Sequence, residues 1–114
     1  MSEPGASEEV KFPAGEARDI ASLAEYAEDG IVSRTLADKD GGSVTAFAFD
    51  KGQSLSEHTT PFDALVQVLD GEAELTIGGE TVRVAEGQMA LMPADVPHAV
   101  SAPRRFKMLL VMLR

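Results

Sequence analysis

From Ile31 to Leu113 the chain is a succession of short apolar, β-branched and aromatic runs, each cut after a few positions by Gly, Pro or Asp. The runs IVSRTLAD, SVTAFAFD, QMALM, PHAVSA and FKMLLVML alternate with DGG, KGQ and Pro93, which leaves no window for a long helix. Such a cadence predicts an all-β domain. Within ALVQVLDGEAELTIGGETVRVAEG, Asp70-Gly71 and Gly78-Gly79 supply the positive φ angles that tight hairpin turns need, so three adjacent antiparallel strands are expected. The last run is apolar at consecutive positions, the mark of a strand buried on both faces. Roughly eight or nine strands would close into a barrel or jelly roll, which leaves few open sheet edges.

The first residues read differently. Met1 to Glu16 is rich in Glu, Gly, Ser and Pro and is expected to be a flexible tail. Ile20, Leu23, Ala24 and Ala27 then recur at the spacing of one helical face, with Gly30 suited to ending it, so a short N-terminal helix is predicted over Ile20 to Glu28. Of the chain's 114 residues the rest, 17–114, is expected to form a single domain. The outer face of the last strand needs a cover, which this helix, a second subunit or both could supply; a homodimer is the expected assembly.

Charge and composition narrow the partners. Nineteen acidic against ten basic residues give a net charge of -9, which repels nucleic acid and anionic lipid headgroups. The chain has no cysteine, so a disulfide framework, a thiolate metal site and a cysteine nucleophile are all excluded. No basic start followed by an apolar run resembles a signal peptide, and a soluble cytoplasmic protein is expected.

Two histidines are present, and both fall in recognisable frames. Gly52 is followed by QSLSE, His58, Thr60, Ala64 and Gly71; later come Gly87, Pro93, Asp95, His98 and Ala102. These stretches, 52–71 and 87–102, resemble the two motifs of the cupins, small conserved jelly-roll barrels of the RmlC-like type. The resemblance implies a cupin domain and a metal position at His58 and His98, where two imidazoles could hold Zn, Mn, Fe or Ni. It also implies that Thr60 stands where a second histidine would be, Ala64 where a glutamate would be, Asp95 at a glycine position and Ala102 at an asparagine. The metal site is therefore expected to be depleted, with Gln67 a weak substitute that only a bulge could turn inward.

Strand alternation puts His58 and Thr60 on one side, and Val100 on the side of His98. Two imidazoles meeting in a barrel could bind a divalent ion with water completing the sphere. Two neutral, hydrogen-bonded core histidines would account for the same residues. A histidine general base in a metal-free isomerase or epimerase is a third reading, although neither Asp63 nor Asp95 is clearly placed as its partner. A metal-dependent oxygenase or isomerase belongs with the first. The expected pocket comprises His58, Thr60, His98, Phe47, Phe49 and Met108, with Met89, Met92 and Met112 adding adaptable apolar surface. No Arg or Lys lies in either motif and Lys51, Arg104 and Arg105 read as solvated loop residues. A small apolar or aromatic molecule thus fits better than a sugar phosphate.

Overall fold

The computed structural model describes residues 9–114. The strands are β1 (Glu9–Val10), β2 (Ile31–Lys39), β3 (Gly42–Phe49), β4 (Ser54–His58), β5 (Asp63–Ile77), β6 (Glu80–Ala85), β7 (Met89–Met92), β8 (His98–Ser101) and β9 (Phe106–Leu113). All pairings are antiparallel, and the order runs β1-β2-β3-β9-β5-β8-β4, with β6 and β7 also on β5. The fold is an all-β jelly-roll barrel.

β5 joins its two sheets. Its first half pairs with β9 and β7, its second half with β8 and β6. The change of sheet falls at Asp70-Gly71, which corrects the expectation of a hairpin turn there. The ladder to β9 slips between Val68 and Asp70, Gly71 has φ of 74°, and the strand continues through as a bulge. A bulge with glycine in the left-handed region demands the same residue as a turn, and it bends the strand instead of reversing it. Any Cβ at Gly71 would also run into the Arg105 carbonyl of β9's leading loop. Gly78-Gly79, by contrast, is the β5–β6 turn, with φ of 58° and 86° between Ile77 and Glu80.

The expected helix over Ile20 to Glu28 is replaced by a single 3-10 turn, Ile20–Ser22. A helix this short is marginal without caps, and Asp19 makes no side-chain cap bond. Two bonds also draw on carbonyls near its start: Ser22 Oγ donates to Asp19 O at 2.8 Å, and Lys107 Nζ donates to Ala21 O at 2.5 Å. Leu23 and Ala24 are buried, whereas Ile20 and Ala27 are exposed, so the helical spacing does not define one buried face. Of the stretch 1–16 read as a tail, residues 1–8 lie outside the described residues. Glu9 and Val10 pair with Asp38 and Ala37 of β2, and Phe12 packs beside Leu36.

Two apolar clusters result. The barrel interior contains Phe49, Val66, Val68, Leu75, Val84, Phe106 and Met108 among its buried residues. A second cluster lies between the sheet and the N-terminal segment, where Leu23, Ala24, Leu36, Ala46 and Ala48 are buried with Leu109 against them. β9 is therefore covered on both faces over its first half, as its apolar sequence predicts: alternate residues from Phe106 face the barrel, and Leu109 faces the N-terminal segment.

A candidate ligand cavity at one end of the barrel

The two ends of the barrel are filled differently. At one, Phe49 and Phe106 stack with ring centroids 4.6 Å apart, and Phe47 follows Phe49 at 5.9 Å. The other end retains a cavity of about 60 Å³, lined by Leu55, His58, Thr60, Ala64, Met92, His98, Val100, Met108, Leu110 and Met112. His58, Thr60, His98 and Met108 of the expected pocket are thus brought together. Phe47 and Phe49 are not among the lining residues and belong to the packed end. Leu55 and Leu110 line the cavity without any motif to mark them. Leu110 follows Met108 by simple alternation, but Leu55 enters through a bulge between Leu55 and His58 that sequence does not announce.

His58 and His98 are direct cross-strand partners on β4 and β8, their ring centroids 4.4 Å apart and their planes at 66°. His98 is 3% exposed, and His58 is exposed at the cavity rim. Each ring is anchored through Nδ1: His58 donates to Ser56 O at 2.8 Å and His98 to Val96 O at 3.1 Å. A carbonyl can only accept, so each neutral ring carries its proton on Nδ1. In that tautomer Nε2 is the acceptor of each ring. Asp95, at the family's glycine position, has φ of 64°, and its N–H bonds to Thr60 O at 2.8 Å, tying the turn before β8 to the loop after β4.

The divalent centre of cupins does not fit these residues. Thr60 Oγ1 is engaged in its own loop, donating to Phe62 O at 3.2 Å and accepting from Phe62 N at 3.3 Å. Ala64 offers no donor. Gln67 follows regular alternation onto the opposite face, beside Met89 and Leu109. Asp63 Oδ1 accepts from Ala94 N at 2.9 Å and holds a loop. Among the described residues no group of three His, Cys, Asp or Glu side chains is placed to share an ion. No Lys or Arg lines the cavity: Lys51 and Arg104 are exposed, and the Arg105 guanidinium lies over the Tyr26 ring at 4.6 Å.

Among the described residues, a nine-stranded antiparallel barrel with a histidine pair at one mouth defines the class as small jelly-roll barrels. Residues 46–112 match the model of the cupin domain, and the chain belongs to that family. It is similar to a conserved protein of unknown function from Streptococcus pyogenes, at 40% identity and a TM-score of 0.89 over 97% of both chains. A cupin superfamily protein from Desulfitobacterium hafniense superposes with a TM-score of 0.84 at 32% identity, covering 90% of this chain and 94% of that one. An uncharacterised protein of Streptomyces coelicolor is 35% identical over 72 residues, 63% of this chain and 68% of the relative.

Proposed function

We propose that this cupin is a small-molecule-binding barrel whose ligand sits between His58 and His98, in a metal site stripped of its other ligands. The observation that carries the reading is the pair of imidazoles, each anchored through Nδ1, that lines an otherwise apolar cavity. Two acceptors and no cation select a neutral ligand with one or two hydrogen-bond donors on an apolar body. A water's share of liquid volume is about 30 Å³, so a cavity of about 60 Å³ admits only a few non-hydrogen atoms as it stands. A ring-sized ligand requires the flexible methionines to swing aside.

Phenol and acetate test this as neutral donor and anion. Phenol is expected to shift the Nε2 resonances of both histidines in 15N spectra, and acetate to leave them in place. His98→Gln should abolish the phenol response while lowering stability by about 1 to 3 kcal/mol, the cost of disturbing a buried hydrogen bond. Imidazole resonances that ignore phenol at millimolar concentration would refute the reading. We further propose that the chain acts as a homodimer, its outer sheet face covered by a second copy.

A further inference from the structure

The ladder between β5 and β9 ends with Asp63 opposite Leu113, one step past Ala64 opposite Met112. Side chains alternate faces, so the next position outward from each strand, Phe62 and Arg114, returns to the side on which Ala64 and Met112 line the histidine cavity. There the two meet: the Arg114 guanidinium lies over the Phe62 ring, 4.7 Å from its centroid. Phe62 belongs to the loop 59–62 that joins β4 to β5, and the same loop carries Thr60, itself a lining residue. Every other residue that lines the cavity lies in a strand. The loop is thus the one part of the cavity wall that no sheet ladder holds.

We propose that loop 59–62 is a lid over the mouth of the cavity, that it lifts to admit the ligand, and that Arg114 is the latch that holds it shut through the Phe62 ring. The inference rests on the reading of the cavity as a ligand site. Three observations carry it. Something must move for a ligand to enter: His98, Met92 and Met108 are at most 3% exposed, and a volume of about 60 Å³ holds no ring. The loop is braced internally, since Thr60 Oγ1 donates to Phe62 O at 3.2 Å and accepts from Phe62 N at 3.3 Å, with Pro61 fixed between them. Residues 60–62 therefore move as one piece. The ties that hold this piece down are single and local. Asp95 N–H donates to Thr60 O at 2.8 Å, the guanidinium of Arg114 covers Phe62, and Asp63 Oδ1, at the foot of the loop, accepts from Ala94 N at 2.9 Å. Lifting the lid breaks the first two and leaves the third as the hinge.

The test is native-state hydrogen exchange together with 15N line-shape analysis on the full chain, with phenol as the probe. The Asp95 amide reports lid opening, because its acceptor is carried on the lid. The Val68 amide, bonded to Gln88 O at 3.0 Å, reports general loosening of the barrel. Arg114→Gln removes the cation and Phe62→Leu removes the ring while keeping an apolar side chain. Each should speed Asp95 exchange about threefold, the shift in a local equilibrium that a cation over a ring at an exposed site accounts for. Each should speed the arrival and departure of phenol at the imidazoles by a similar factor, with Val68 exchange unchanged. Arg114→Lys keeps the cation and should stay near wild type. Phenol close to saturation should slow the Asp95 amide of wild type. Asp95 exchange that is the same in Arg114→Gln and Phe62→Leu as in wild type, or that rises only in step with Val68, would overturn the lid. Phenol rates indifferent to both variants would overturn it too, and persistence of the imidazole shifts in that case leaves the cavity reading standing. A wild type whose imidazoles ignore phenol removes the cavity reading and the lid together.

Discussion

Ala64 and Thr60 show how two small side chains change what a cupin frame can hold. Both line the cavity with His58 and His98, at the positions where the family resemblance places glutamate and histidine. Thr60→His combined with Ala64→Glu should therefore rebuild a three-histidine, one-glutamate sphere. Ala64 is 2% exposed and lies between Met92 and Met112, so the new carboxylate is both crowded and desolvated in the apo protein. The apo variant is expected to lose about 2 kcal/mol or more. Mn²⁺, Fe²⁺ or Zn²⁺ should restore that loss because binding to the folded state alone stabilises it. Thermal melting with and without each ion checks this. A folded double variant whose melting ignores all three ions would show that positions 60 and 64 do not converge with the histidines. The histidine pair itself was legible in the sequence, since both fall in spaced motifs. Membership of Phe47 and Phe49 was not, because alternation gives the face of a strand and not which end of the barrel a position reaches.

At the scale of elements, local sequence identified strands well and misjudged the two places where distant residues decide. Asp70-Gly71 carries a turn signature, yet β9 pairs straight across it and turns it into a bulge. Gly71→Ala should cost about 2 kcal/mol or more, from the left-handed backbone and the approach of the Arg105 carbonyl, measured by chemical denaturation. An Ala variant as stable as wild type would exclude that strained approach. The segment around Ile20 has helical spacing, yet Lys107, 86 positions away from Ala21, donates to that residue's carbonyl, 3.6 Å from Glu25 and 4.8 Å from the Tyr26 ring. Tyr26 donates to Asp70 Oδ2 at 2.6 Å, and burial together with that bond pushes its hydroxyl well above the ordinary tyrosine range. A folded-state pKa above the unfolded one means stability fully present below the unfolded value of about 10 and lost as pH rises beyond it. Tyr26→Phe should lower stability at neutral pH by about 1 to 2 kcal/mol, a charged hydrogen bond discounted for partial exposure. Its deficit against wild type should shrink as pH climbs past the tyrosine range, and a deficit independent of pH up to that range and through it would refute the coupling.

Among the described residues the N-terminal segment covers only part of the outer sheet. The last run, Phe106–Leu113, was legible as a strand buried on both faces, and the structure covers its outer side only as far as Leu109. Beyond it, Leu91, Leu65 and Val111 are paired in register across β7, β5 and β9, an apolar row on the face opposite the cavity that runs on to Val44 of β3, which packs against the N-terminal cluster. Leu91 at the end of that row is 50% exposed, with Met89 at 58% and Leu113 at 45% nearby. Apolar patches of this kind are where the proposed homodimer would form, since a second copy meeting the row about a two-fold axis presents the same row to itself. Light scattering at tens of micromolar should give the mass of a dimer. Met89→Lys with Leu91→Lys, both on exposed positions and so mild for the fold of one chain, should convert it to monomer by placing like charges face to face in the interface. Melting of wild type should rise with protein concentration, and that of the double variant should not. A wild-type monomer at these concentrations would mean that this face meets no second copy, and a dimer indifferent to the two lysines would place the interface elsewhere on the barrel.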